Sequence, residues 1–186
     1  YLVGAGIGRI GIIDDDVVDI TNLHRQVLYT EKEAGLPKVE CAKRRLQALN
    51  SEVEIDAYPY RLTKENAHEL ISRYDIVVDG MDNFMTRYIV SDECKLQGKP
   101  YVYGAIRGLD GQVAVLCKGH TTYRSLLPDE EATLSMPHPG KAVLGTTPAV
   151  VGSVEACQVL MLAAEFGEPL IDKLWTVDLS TMMSYV

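Results

Sequence analysis

The sequence predicts an α/β protein built on an open, mostly parallel sheet, with helices on both faces and antiparallel strands added at one side. Three observations carry that expectation. Short apolar runs alternate with amphipathic ones as far as Pro100, the pattern of strands and crossover helices. Two of those runs, residues 9–13 and 75–79, lead straight into acids and polar turns, and ligands of such sheets bind beyond the carboxyl ends of strands. After Pro100 the helical periodicity gives way to consecutive strand-like runs. The expected architecture is Rossmann-like.

Taken in order, the chain opens on a false signal. Gly6-Ile7-Gly8-Arg9-Ile10-Gly11 spells GxGxxG, but that fingerprint needs a strand before it, a helix after it and an acid about twenty residues on. Here the strand follows the glycines. Residues 2–8 are therefore expected to be the end of a first helix and the turn into strand 9–13. The same arithmetic, run backwards from Asp14, places a first strand and its phosphate-cradling glycine turn upstream of Tyr1.

Residues 29–36 read as a polar loop, after which Pro37 opens a helix with Val39, Ala42, Leu46 and Leu49 as its apolar stripe and Asn50 as its stop. Residues 53–58 alternate like a strand, and Thr63 caps a helix over 63–74. Residues 75–79 form a short buried-type strand, and 83–98 a helix that Gly98 ends. Strands are expected at 100–105 and 111–117, joined by a turn over 106–110. Residues 120–145 show no clear periodicity and read as one long loop, a kind that is usually functional. A strongly apolar helix over 146–165 and a final strand pair, 174–177 and 182–186, complete the set. The whole, 1–186, reads as a single domain incomplete at its N-terminus.

The formal net charge of −8 argues against a nucleic-acid partner or an anionic membrane surface. No apolar run reads as long enough to span a bilayer, and no leader is visible. Cys41, Cys94, Cys117 and Cys157 are scattered without a CxxC pair and read as small buried hydrophobes, which points to a reducing, cytoplasmic setting.

The chemistry concentrates in residues 12–26, IIDDDVVDITNLHRQ. Asp14 stands at a strand's carboxyl end, where a carboxylate grips the paired hydroxyls of a ribose. Asn22 and Arg25 follow closely, and such donors suit a phosphate chain. Lys38 sits in a helix's first turn, against the dipole, and so asks for an anionic partner. A second strand-end acid pair, Asp79 and Asp82, is expected to lie near the first, one set holding ribose and the other a hard cation.

DDDVVDITNLHRQ, LPKVE at 36–40, DGMDN at 79–83 and GAIRGLDGQ at 104–112 together resemble the ThiF/MoeB/HesA family, the bacterial branch of the ubiquitin-activating superfamily. The resemblance implies an adenylyltransferase that uses ATP and Mg2+ on the C-terminal carboxylate of a ubiquitin-fold or sulfur-carrier protein ending in Gly-Gly. It implies that Asp14 binds ribose, that Arg25 and Lys38 neutralise phosphates, that Asp82 binds magnesium, and that Asn22 and Gln26 support the site. The 120–145 segment would border the tail's channel; Arg87 reads as a structural salt-bridge partner. A homodimer is implied too, with the apolar helix over 146–165, broken only by Ser153, Glu155, Gln158 and Glu165, near its interface.

Three departures qualify that reading. Thr122-Tyr123-Arg124-Ser125 stands where many relatives carry a zinc-binding CYRC, so no zinc site is expected. Residues 135–144 hold no cysteine for a covalent transfer, with His138 near that position. The family's glycine loop and cross-dimer arginine lie outside the sequence. Two alternatives stay open: a degenerate member that docks a partner without activating it, and an NAD-dependent oxidoreductase.

Overall fold

The structure, a computed structural model, describes residues 1–137 and 143–186. It divides into two compact units, Tyr1–Leu62 and Thr63–Val186. The first opens with a closed helical end. Gly6 N–H donates to Val3 O at 3.1 Å and Ile7 N–H to Leu2 O at 3.2 Å, with Gly6 left-handed at φ 85°. That bond pair is a Schellman closure. The first glycine of GxGxxG thus ends a helical turn.

Strand β1 (Arg9–Ile13) then pairs in parallel with β2 (Glu54–Tyr58), from Arg9↔Glu54 to Ile13↔Tyr58. Val3, Val53 and Ile55 form a core against which Ile10, Ile12 and Leu46 pack. Helix α1 (Lys38–Leu49) has Pro37 at its N-cap and Asn50 at its C-cap. The Asn50 amide donates to Val3 O at 3.1 Å, tying the end of α1 to the opening turn. Lys38, Val39, Cys41 and Ala42 are its buried residues. Leu49, expected in the apolar stripe, is 62 % exposed instead, because the last turn runs past the core.

The second unit holds a five-stranded sheet in the order β3-β4-β5-β6-β7. Helix α2 (Lys64–Ser72) starts in a Thr63–Asn66 capping box and precedes β3, which is only Val77–Val78 rather than the five residues expected. β3 runs parallel to β4 (Tyr101–Arg107). Helix α3 (Phe84–Gln97) is capped by the Asn83 side chain and stopped by left-handed Gly98. β4 and β5 (Asp110–Leu116) are antiparallel out to Arg107↔Asp110. The turn between them is therefore tighter than the sequence suggested, with Gly108 at φ 61°. β6 (Trp175–Asp178) and β7 (Met183–Tyr185) add two further antiparallel strands. The parallel pairs β1–β2 in the first unit and β3–β4 in the second are the Rossmann-like part, and the second unit adds three antiparallel pairings to its own sheet, with helices flanking the strands.

The 120–145 segment is not one structureless loop. It folds into α4 (Tyr123–Leu126) and α5 (Glu130–Leu134), capped by Thr122 and Asp129; His138 lies outside the described residues. Helix α6 (Thr146–Ala163) packs on β4 and β5. Its buried face includes Glu155 and Gln158, the residues expected to break its apolar surface, while Ala149 and Cys157 are exposed. Gln158 is buried because its Oε1 accepts the Leu170 N–H at 2.7 Å. By length and composition α6 is apolar enough to cross a membrane, contrary to the sequence reading. Of the cysteines, Cys41 and Cys94 are buried, Cys117 is half-buried and Cys157 is exposed.

Candidate active site

In the first unit the site grows from the end of β1. Asp14 N–H donates to Tyr58 O at 3.2 Å, which carries the strand pairing one residue past β1. The chain then turns: Asp14 Oδ1 accepts the Asp16 N–H at 2.8 Å. Asp16 O accepts the Lys38 N–H at 3.0 Å, and Asp16 Oδ2 takes Lys38 Nζ at 2.9 Å. Lys38 is only 4 % exposed and lies 3.9 Å from Asp14 Oδ2. A first-turn position, against the helix dipole, asks for an anionic partner for Lys38. The structure buries it, and the anion it meets is Asp16.

Asp14, Asp15 and Asp16 each bring one carboxylate oxygen within 4.8 Å of the others. Lys38 on Asp16 and Arg61 on Asp15 (3.2 Å) already offset much of that charge. Tyr29 belongs to the same surroundings and escaped the sequence reading. Burial, then the charges of Asp14, Cys41 and Glu33, push its hydroxyl up to about 12, so it remains a protonated donor.

Residues 19–26 wind into a short turn. Asp19 Oδ1 accepts from Thr21 N–H at 2.7 Å, and Asn22 O accepts from the N–H groups of Arg25 and Gln26 at 3.1 and 2.9 Å. This winding brings Asn22 and Arg25 side by side, as the NLHRQ spacing implies. Arg25 Nη2 donates to Asn22 Oδ1 at 2.7 Å and Nη1 meets His24 Nε2 at 3.2 Å. Both acceptors are uncharged amide and imidazole. Gln26 Oε1 is buried and without a hydrogen-bond partner, an acceptor awaiting a donor.

The second unit's acidic turn follows β3. Asp79 is closed off: its side chain has no exposure, and Oδ2 takes Arg87 Nε at 2.8 Å and the Tyr101 hydroxyl at 2.8 Å. Its Oδ1 accepts the Met81 N–H at 2.8 Å, while Arg87 Nη2 donates to Met81 O at 2.6 Å and Gly104 O at 3.1 Å. Burial pushes the Asp79 carboxyl up, and the Arg87 charge with the Met81 and Tyr101 hydrogen bonds opposes that. Asp79 and Arg87 thus grip Met81 by both its N–H and its carbonyl. The next residue, Asp82, is exposed, touched only by the Asn83 amide at 3.3 Å among the described residues.

Beneath Arg87, the Glu155 carboxyl fills the space where a Cβ on Gly104 would stand. Burial, then the Asp79 charge, push it up to about 9, with Arg87 opposing, and its Oε1 has no partner. No sequence signal marked Glu155 as buried; an acid on a helix normally faces water.

At the stretch 122–125, Thr122 Oγ1 and Ser125 Oγ lie 3.2 Å apart and bond to each other. Arg124 instead staples this turn to α3, through a two-point contact with Asp92 at 2.8 and 2.7 Å.

A Rossmann-like core with acids and cations beyond its strand ends is the arrangement from which nucleotide-binding α/β proteins build their sites. The chain belongs to the ThiF family, whose profile matches residues 1–185 across both units. It is 48 % identical over 187 residues to the sulfur carrier protein adenylyltransferase of Thermus thermophilus, covering 96 % of this chain and 68 % of that protein. It is 41 % identical over 189 residues to the adenylyltransferase and sulfurtransferase MOCS3 of Arabidopsis thaliana, covering all of this chain and 41 % of that one. Among solved structures, E. coli MccB with succinimide overlays with a TM-score of 0.84 at 24 % identity, over 99 % of this chain and 56 % of MccB. The chain therefore spans about half the length of several relatives it matches.

Proposed function

We infer that this chain is an ATP-dependent adenylyltransferase domain, spanning both units, that activates the C-terminal carboxylate of a ubiquitin-like or sulfur-carrier protein. The observation that carries the reading is Arg25. A guanidinium held only by uncharged acceptors keeps its full charge for a phosphate. Among the described residues Arg25 makes no ion pair. The names of the relatives support the same class.

In this reading a carboxylate oxygen of the carrier attacks the α-phosphorus of ATP, the α–β anhydride bond breaks, and pyrophosphate leaves with the bonding electrons. No side-chain nucleophile is needed, and preset cations supply most of the stabilisation. Asp14 holds the ribose, Arg25 and Lys38 the phosphates, and Asn22 and Gln26 support them. Lys38 acts from a buried pair with Asp16, so its charge is shared. Exposed Asp82, set by the Asp79–Arg87 grip on Met81, holds magnesium, which when bound offsets phosphate charge. The carrier ends in Gly-Gly, the protein works as a cytoplasmic homodimer, and neither nucleic acid nor membrane is a partner. Light scattering of the full-length protein reads the assembly; a monomer at micromolar concentration ends that part.

Carrier-dependent ATP–pyrophosphate exchange by the full-length protein tests the chemistry. Arg25→Ala should lower exchange by at least about a hundredfold, the scale of losing a preset charge contact, without lowering the melting temperature. Asp82→Asn should raise the magnesium requirement. Exchange untouched by Arg25→Ala removes the ATP assignment. Elemental analysis should find no stoichiometric zinc, since the Thr122 and Ser125 hydroxyls replace thiolates; about one zinc per chain would overturn that.

A further inference from the structure

His24 lies in the string that carries Arg25, and no role assigned so far uses it. Its ring is fixed at both ends. The Thr21 carbonyl, 2.9 Å from Nδ1, can only accept, so Nδ1 carries the proton. Asp19 in turn pins Thr21 through both its N–H and its hydroxyl, each at 2.7 Å, so that carbonyl has a set direction. The lone pair is left on Nε2, 3.2 Å from Arg25 Nη1, which can only donate. The other arm of the guanidinium goes to Asn22 Oδ1 at 2.7 Å. Two neutral acceptors therefore hold two arms of one rigid fork and fix its plane while leaving its charge whole.

A carboxylate would fix the fork equally well but would cancel the charge that a phosphate needs. Lys38, paired with Asp16 at 2.9 Å, shares its charge with a carboxylate in the same unit, and Arg25 does not. Nor is His24 filling a core, since it is exposed. We propose that His24 is a positioning residue for phosphate recognition: with Asn22 it orients Arg25 without neutralising it. This rests on the reading of Arg25 as a phosphate cation.

The test is ATP–pyrophosphate exchange by the full-length protein, with kcat and the KM for ATP measured separately. His24→Ala should raise the KM for ATP about tenfold, the scale of one hydrogen bond to a charged group, with kcat within about twofold. His24→Gln presents an amide oxygen in reach of Nη1 and should return the KM to within about twofold of the parent. His24→Lys offers no acceptor, adds a like charge, and should exceed the defect of His24→Ala. A normal KM in His24→Lys, or a His24→Gln no better than His24→Ala, overturns the proposal. Should His24→Ala fail to fold, the Gln and Lys variants decide. Arg25→Ala run beside them separates the two claims: if it leaves exchange unchanged, the phosphate reading itself has failed, whereas a loss there with a normal His24→Lys condemns only the positioning role.

Discussion

Asp14 after β1 and Asp79 after β3 close the same local turn. In each, Oδ1 accepts the backbone N–H two residues on, at 2.8 Å. Their second oxygens differ. Asp79 Oδ2 is held by Arg87 and Tyr101, and the side chain has no exposure. Among the described residues, Asp14 Oδ2 has only the Lys38 ammonium as a cationic partner, at 3.9 Å, and its side chain is 36 % exposed. An acid at a strand's carboxyl end is thus a turn-former first. Whether it is offered to a ligand depends on which donors neighbouring elements bring down on it. α3 brings Arg87 onto Asp79, and that acid is committed to holding Met81. Its successor Asp82 is the carboxylate left outside.

The largest effect expected from this contrast is on stability. Asp79→Ala strands the Arg87 guanidinium in a buried site, and removing one partner of such a pair costs about 3–5 kcal/mol. Denaturant unfolding measures it. A loss below about 1 kcal/mol would mean that water reaches the pair and that Asp79 is no more committed than Asp14.

Glu155 gives a pH-dependent version of the same contrast. Its carboxyl is pushed from 4.5 to about 9, by burial first and by the Asp79 charge second. The folded chain therefore keeps a proton that the unfolded chain has lost. Stability is fully present below the ordinary carboxyl range and falls as pH rises toward about 9. Glu155→Gln removes the titration while keeping the shape. Between pH 5 and 9, about the span of the shift, its melting temperature should fall less steeply than the parent's, with the gap widest at the alkaline end. Parallel melting curves would show that Glu155 ionises where it sits.

Much of this arrangement was legible in the chain. The order of elements follows from periodicity, and the GxGxxG was rightly read as a helix end, because sequence order excludes a phosphate loop there. Asn83 and Gly98 marked the ends of α3 by local chemistry alone. Burial of charge was not legible. Lys38 looks like any first-turn lysine until Asp16, 22 residues away, is seen bonded to it, and Asp79 looks like Asp82 until α3 is folded over it. The Asn22–Arg25 pairing is local and could be read; the tautomer of His24, fixed by a backbone carbonyl, could not. The α6 pattern misled because polar residues were assumed to face out, whereas Glu155 is enclosed against Gly104, where only a glycine leaves room.

The smallest expected effect sharpens the comparison most. In Asp14→Asn the amide oxygen still accepts the Asp16 N–H, so the turn survives. Lys38 keeps its nearer carboxylate, Asp16 at 2.9 Å, and loses only the one at 3.9 Å. The stability change should lie within about 1 kcal/mol, as for a weak, partly exposed ion contact. Asp79→Asn removes an equal charge from the equivalent turn, yet it deprives buried Arg87 of its counterion and should cost several times more. Denaturant unfolding of the two variants side by side measures the difference. Equal losses would refute the argument that the covering donors, rather than the turn itself, decide what a strand-end acid does.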